Sequence, residues 1–379
     1  MSNTTPNSPA PRASVAFAAL DPYVEVNIPK PTETVLTGRD RVKWGTGDKY
    51  PDYLLGLYER SATLRGVIDG CVDYIAGDDV LFQGKRDRVI NRYGETALDV
   101  TRQLAMDLKR VGGFAIQVVR DNSGRIAEVF ALEMRYVRSN KDATVFYYSE
   151  RWGRSNADPV TMPAFMPDLT EKWATLEDKE RDRHASSVVY YRADRLHTYP
   201  TPCYLAAIPS CEIEANIDDF HLNSLENGFT ASAIINFYNG IPTDQEKEEM
   251  EKNVNEKFSG HRNAARIMLN FADSKQNGAD IKEFAVSDFG DRYGALEKTS
   301  KQKIFTAFRA HPALFGIPTE TDSLNLASED YDQVFKLFNR TQIRPAQRAI
   351  TDAFAKIYGS SVLQIVPFTL DGAGEASVA

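Results

Sequence analysis

The chain has 379 residues, 42% of them apolar, with 53 acidic against 45 basic side chains for a formal charge of −8. That is enough apolar sequence for a large folded core. The acidic balance argues against a protein that grips nucleic acid by neutralising phosphates, which takes a clustered basic surface.

Three cysteines, Cys71, Cys203 and Cys211, have neither paired metal spacing nor disulfide parity, so synthesis in a reducing, intracellular compartment is expected. The opening "MSNTTPNSPAPRASVAFAAL" lacks a basic n-region, and no run of about 18 apolar residues occurs, so a soluble chain with no membrane partner is expected.

Residues 1–45 are rich in Pro, Thr, Ser and Asn without periodicity and read as an extended arm. The run "YPDYLLGLYERSATLRGVIDGCVDYIAG" predicts one helix opened by Pro51 and closed by Gly77, with Leu54, Leu57, Tyr58, Ser61, Leu64, Ile68, Cys71, Val72 and Ile75 on a broad face. A second helix covers about Thr96–Val111 and stops at Gly112-Gly113. Four β-rich runs follow, "FAIQVVRD", "RIAEVFALEM", "YVRSN" and "TVFYYSERW", and predict an antiparallel meander. Residues 153–185 read as a charged, solvated insertion before the strand "SVVYYRADRLHTY".

"CEIEANIDDFHLNSLENG" predicts a helix whose polar face carries Glu212, Glu214, Asp218, Asp219 and Glu226. Next come a strand, a charged helix opened by a Thr243/Glu246 capping box and closed by Gly260, and a second strand "ARIMLNF". "RYGALEKTSKQKIFTAFRAH" predicts a basic helix with Ile304, Phe305 and Phe308 inward and Lys298, Lys301, Lys303 and Arg309 outward. An apolar elbow "HPALFGIP" and a polar loop "TETDSLNLAS" lead to a long helix capped by Ser328. Pro345 should kink or restart that helix near Arg344. No structure is expected of the tail "DGAGEASVA".

Chemistry is hard to find. The histidines are scattered, no phosphate loop, dinucleotide fingerprint or nucleophile elbow is present, and no cysteine has basic company. Asp218 and His221 have a helical metal-sharing spacing without the second pair such a site needs. His311 with Glu320 or Asp322 lacks a neighbouring nucleophile or anion nest. No catalytic residue, metal or cofactor is therefore expected.

The order of these elements, from "ENG" and "ASAIINF" through "FSGHRNAARIMLNF" and "FRAHPALFGIP" to "NLASEDYDQVFKLFNRTQIRPAQRAITDAF", resembles phage portal proteins of the HK97-like type, best after residue 205. Asn227, Gly228, Gly260, Asn263, Ala264, Pro312, Gly316, Asn325, Phe335 and Pro345 carry the likeness. The elbow departs from the family's valine-proline form, and the short tail leaves the crown minimal or absent.

The resemblance implies an α+β, ring-forming portal fold: an extended arm over 1–45, a wing over 46–208 and 327–360, stem helices over 209–228 and 291–312, a clip over 229–290, a tunnel loop over 313–326 and a tail over 361–379. It implies a homo-oligomer, a ring of twelve at one capsid vertex of the virion, assembled in the host cytoplasm. Double-stranded DNA passes through without sequence readout, and the major capsid protein, the terminase large subunit and then a head-tail adaptor are the partners. Under it Glu320, Asp322, Ser323 and Asn325 face DNA, Leu324 and Leu326 pack between loops, and Lys252, Lys257, Arg262 and Arg266 bind a clip partner. Glu212, Asp218 and Asp219 would meet Lys298, Lys301 and Arg309 of a neighbour along the stem. The alternatives are another ring-forming virion or scaffold protein, or an enzyme of unrecognised fold using His197 or His221.

Overall fold

The computed structural model describes residues 14–16, 28–36, 40–154, 156–194, 196–226, 233–237, 243, 245–246, 249, 267–271, 287–317 and 328–369. They group into two units, Met1–Asn27 with Asn216–Glu297, and Ile28–Ala215 with Lys298–Ala379. The tunnel-loop residues Glu320, Asp322, Ser323, Leu324, Asn325 and Leu326 and the clip cations Lys252, Lys257, Arg262 and Arg266 lie outside the described residues, as does Gly260.

Strand β1 (Ser14–Ala16) belongs to the smaller unit. The larger unit opens with an antiparallel hairpin of β2 (Glu33–Val35) and β3 (Val42–Trp44). Trp44 is fully buried and stacks on Tyr199 with ring centres 4.5 Å apart. Beside it Asp48 accepts from the Trp44 N–H at 2.8 Å and from Arg138 Nε at 2.6 Å, and pairs with Arg41. Burial alone would raise the Asp48 carboxyl, but Arg138, the Trp44 N–H and Arg41 outweigh it and hold the carboxyl below its ordinary value. Arg138 also donates to the carbonyls of Asp48, Arg135 and Val137, so this buried guanidinium joins the hairpin to the strand region downstream.

The first helical run is two helices, α1 (Tyr50–Arg60) and α2 (Ala62–Ala76), where the sequence predicts one. Ser61 between them is extended; its Oγ accepts from the Leu64 N–H at 3.2 Å as the N-cap of α2 and donates to Glu214. A capping side chain with a buried carboxylate to bond wins over helix continuation. Next, β4 (Asp79–Phe82) precedes α3 (Ala97–Arg110), which starts at Thr96 with the reciprocal Thr96/Asp99 capping box.

Gly112 then takes φ +89, where an added Cβ would lie 2.0 Å from the Thr201 carbonyl, and the chain enters β5 (Gly113–Arg120). β6 (Ile126–Leu132) follows, then β7 (Val137–Ser139), β8 (Val145–Tyr148) and β9 (Val160–Pro163). These do not form one meander. A turn at Met134–Tyr136, held by the Met134 N–H donating to Asp107 at 2.8 Å, separates the antiparallel sheet β7-β8-β9 from β5-β6. The sheet of β5 and β6 is completed by β10 (Ser186–Arg192), antiparallel on the other edge of β5.

The charged insertion is anchored rather than wholly solvated. Between α4 (Leu169–Lys172) and α5 (Asp178–His184), Trp173 is buried, donates to the Asn122 carbonyl at 3.1 Å and lies under the Arg120 guanidinium.

α6 (Ile208–Glu226) leads out of the larger unit and α7 (Ser287–Phe308) leads back. Ile304, Phe305 and Phe308 of α7 point into the core, as the sequence predicts. In the smaller unit β11 (Ala233–Phe237) pairs parallel with β12 (Ile267–Phe271), whose other edge takes β1. The predicted capping box forms: the N–H and Oγ1 of Thr243 both donate to Glu246 at 2.9 Å.

After the elbow, α8 (Ser328–Phe338) passes through a π-helical turn, Asn339–Ile343, into α9 (Arg344–Tyr358). Pro345 explains the restart. It has no N–H to continue the ladder, and the Arg344 N–H bonds five residues back to the Asn339 carbonyl. The tail contributes what the sequence did not suggest, a strand β13 (Leu363–Val366) antiparallel to β4. No helix among the described residues is long and apolar enough to cross a membrane.

Removing Arg138 takes the more deeply buried of its two cations from Asp48, leaving Arg41, and strips the carbonyls of Asp48, Arg135 and Val137 of a donor. Arg138→Met is expected to cost about 3–5 kcal/mol in urea unfolding, whereas Thr96→Ala at the exposed cap should cost about 1 kcal/mol. Equal losses would mean that the Asp48 pocket takes up water when opened.

Candidate functional site

The elbow begins where α7 ends. His311 Nδ1 accepts from the Ala313 N–H at 3.3 Å and so caps the short turn Pro312–Phe315, which Gly316 closes in the left-handed region at φ +70. A ring nitrogen held in a backbone cap is poorly placed to act as a base, and the structural role of His311 is clear from this bond alone.

Both flanks of residues 318–327 rest on one side chain of α2. Tyr74 donates from its hydroxyl to the Leu314 carbonyl at 2.6 Å, and Phe315 stands edge-on to its ring at 6.1 Å. From the far flank Phe335 and Phe338 of α8 approach the same ring, each at 5.8 Å, and Phe338 also meets Phe315 at 5.9 Å. Phe368 closes the cluster at 4.9 Å from Tyr74. One turn before Tyr74, Gly70 makes room: a Cβ there would lie 2.6 Å from Phe315 Cδ1. Burial, with Tyr331 nearby, pushes the Tyr74 hydroxyl up to about 12, so it stays a neutral donor at physiological pH. Gln347 of α9 donates to the Ile75 carbonyl at 3.1 Å and fastens α9 to the end of α2.

No comparable cluster appears elsewhere among the described residues. Burial pushes the thiols of Cys71 and Cys211 up to about 11 and about 12, far from nucleophile range. No group of three or more potential metal ligands occurs among the described residues. A cleft of about 680 Å³ lies between α2, α3 and β6, walled by Tyr58, Val72 and Met106 and lined by Asp69, Asp73 and Asp107 with Arg102 and Arg110. Within it Tyr58 donates to Asp69 at 2.6 Å and Arg102 pairs with Asp73 at 3.3 Å. Burial raises the Asp107 carboxyl to about 7 despite the Met134 N–H it accepts.

The family model described as phage portal protein matches residues 90–370, about three-quarters of the sequence. The chain belongs to the phage portal protein family. Among solved structures this portal protein is similar to a chain of the neck of a native GTA particle computed with C12 symmetry, at TM-score 0.52 and 15% identity over 86% of each chain. It is similar at TM-score 0.51 and 16% identity, again over 86% of each, to a chain of the neck of an empty GTA particle computed with C6 symmetry. Identities this low establish the fold alone. A crystal structure of an HK97 family phage portal protein from Corynebacterium diphtheriae aligns at TM-score 0.46 and 10% identity over 83% of this chain and 94% of its own, too distant to carry weight. No curated protein matches.

In the portal frame, the stem carboxylates divide. Glu212 and Glu214 are buried in the larger unit rather than displayed, which corrects the expectation for Glu212. Glu212 lies 3.5 Å from Arg60, and Glu214 accepts from Ser61, from the Thr63 hydroxyl and from the Thr63 N–H at 3.3 Å, at the N-terminus of α2 where the helix dipole favours an anion. Asp218 and Asp219 are exposed in the smaller unit, and Lys298 and Arg309 are exposed in the larger, with Lys301 half-buried. His221 sits edge-on to Tyr293 at 6.0 Å.

Sequence reasoning singled out the elbow but missed Tyr74, Gly70 and Phe368. Gly70 and Tyr74 did carry a sign, a glycine one turn from a tyrosine on a helix otherwise rich in larger apolar residues.

If Gly70 is small for the sake of Phe315, Gly70→Ala should cost about 1–3 kcal/mol by overpacking. In a Phe315→Ala background it should cost nothing measurable, so a double-mutant cycle by denaturant unfolding decides it; an undiminished cost would place the clash elsewhere. The raised Asp107 value has its own signature. Its contribution is intact below the ordinary value of 3.8 and is lost as pH rises towards about 7. Asp107→Asn should therefore flatten the fall in stability across that window, and an unchanged slope would contradict the shift.

Proposed function

We propose that this portal protein forms the ring at one capsid vertex through which double-stranded DNA is packaged and later ejected. Twelve copies make the ring in the virion, after assembly in the host cytoplasm. The wing is residues 46–208 and 327–360, joined to the major capsid protein's shell. Stem helices 209–228 and 291–312 lead to a clip, 229–290, that docks the terminase large subunit during filling and the head-tail adaptor afterwards. In this reading Asp218 and Asp219 of one copy face Lys298, Lys301 and Arg309 of the next, without Glu212, and Lys252, Lys257, Arg262 and Arg266 meet the clip's partner. Exposed pairs contribute only about 0–1 kcal/mol each, so they set register more than affinity.

The observation that carries the reading is the shared mount of the loop flanks. Leu314 and Phe315 on one side and Phe335 and Phe338 on the other converge on Tyr74. A loop that meets a moving polymer must keep its position under load, and two ends seated on one packed cluster supply that. Glu320, Asp322, Ser323 and Asn325 then form an acidic and polar collar that does not adhere to a polyanion, with Leu324 and Leu326 packing between neighbouring loops.

Deleting Thr319–Leu324 is expected to leave rings visible by negative-stain imaging while DNA packaging or retention falls. Rings that fail to form would make the loop an assembly element instead. Glu320→Lys with Asp322→Lys should slow packaging, and more so at low salt. A salt-independent rate would contradict the low-adhesion collar.

A further inference from the structure

The sheet of the smaller unit has an unusual source for one of its edges. β11 and β12 pair in parallel from Ala233↔Ile267 to Phe237↔Phe271. On its own such a two-stranded parallel ribbon is not expected to be stable, and it would leave the second edge of β12 open to chance pairing. That edge is taken by β1, antiparallel, in the register Ser14↔Phe271, Val15↔Asn270 and Ala16↔Leu269.

The strand that completes the sheet is three residues long and reaches it from the far N-terminus. Between its end and the start of β2 run Phe17 to Thr32, sixteen residues that include Pro22, Pro29 and Pro31. Sixteen residues can span up to roughly 50 Å. A short strand that far along the chain from the next element is easily exchanged, because the same hydrogen bonds form whichever copy supplies it.

We propose that in the assembled ring β1 is exchanged, each copy's Ser14–Ala16 pairing with β12 of the neighbouring copy. The inference rests on the portal ring proposed above. In an isolated subunit the strand covers its own β12 edge; in the ring every copy gives one strand and receives one. This heterologous exchange closes on itself and ties the ring by main-chain hydrogen bonds that do not depend on the charged stem. The ligand of the β12 edge is therefore a second copy of this chain.

The test uses the full chain with Cys203→Ser, the remaining cysteines Cys71 and Cys211 being buried. Two differently tagged versions, one Val15→Cys and one Asn270→Cys, are co-expressed, imaged by negative stain and oxidised. Ala16→Cys with Leu269→Cys serves as a second pair, since only alternate antiparallel pairs have the closer spacing. A third sample carries both cysteines of a pair on one chain. Exchange predicts rings in which the two tags become disulfide-linked to each other, and a ladder of covalent multimers from the third sample. Rings in which the tags stay unlinked, while the third sample gives only an internally bridged monomer, overturn exchange and leave the portal reading standing. Rings with no disulfide in any sample overturn the register and the proposal with it. Absence of rings throughout counts against the portal reading as well.

Discussion

Much of the larger unit is organised by what converges on α2. Its C-terminal half carries Tyr74, on which the turn after α7, the start of the long helix pair and the C-terminal segment all converge through Leu314, Phe315, Phe335, Phe338 and Phe368. Aromatic side chains bury a large area and prefer the edge-on geometry seen in most of these pairs, so the cluster combines apolar driving force with definite orientation. Its one polar atom, the Tyr74 hydroxyl, is satisfied by the Leu314 carbonyl, so the cluster pays no desolvation penalty there.

The other end of α2 is held differently. Ser61 and Thr63 bond the buried Glu214 of α6, while Tyr204, just before α6, stacks on Phe308 at the end of α7 with ring centres 5.5 Å apart. Within this unit α2 thus links the roots of both helices that leave it to the flanks of the loop. For the proposed portal, packed side chains then connect the elbow through α2 to α6 and α7. The same arrangement explains why two of the acidic residues of α6 are turned inward. They serve the N-terminus of α2 and Arg60, whereas Asp218 and Asp219, further along α6, are exposed.

Much of this was legible where the governing interaction is local. The cap at Thr243, the break at Pro345 and the inward face of Ile304, Phe305 and Phe308 depend on residues within a turn or two of one another, and the sequence shows them. The misreadings all involve distant partners. Ser61 looks like one more position on a helical face until Glu214, 153 residues away, is brought to it. Trp173 sits in a charged run and is buried because it packs under Arg120 and bonds to Asn122. β13 is four unremarkable residues until β4 offers an edge. The family likeness was carried by element order, which survives at the 15–16% identity shared with the GTA neck chains because these packing constraints act on size and polarity more than on residue identity.

The most direct measurement is hydrogen exchange on the Tyr74→Ala protein, followed by mass spectrometry. If Tyr74 is the common mount, peptides covering 309–317, 331–343 and 363–369 should lose protection together, while 113–120 in the central strand of its sheet stays as slow as in the parent. Loss confined to α2, with the elbow and the α8 turn unchanged, would contradict the account.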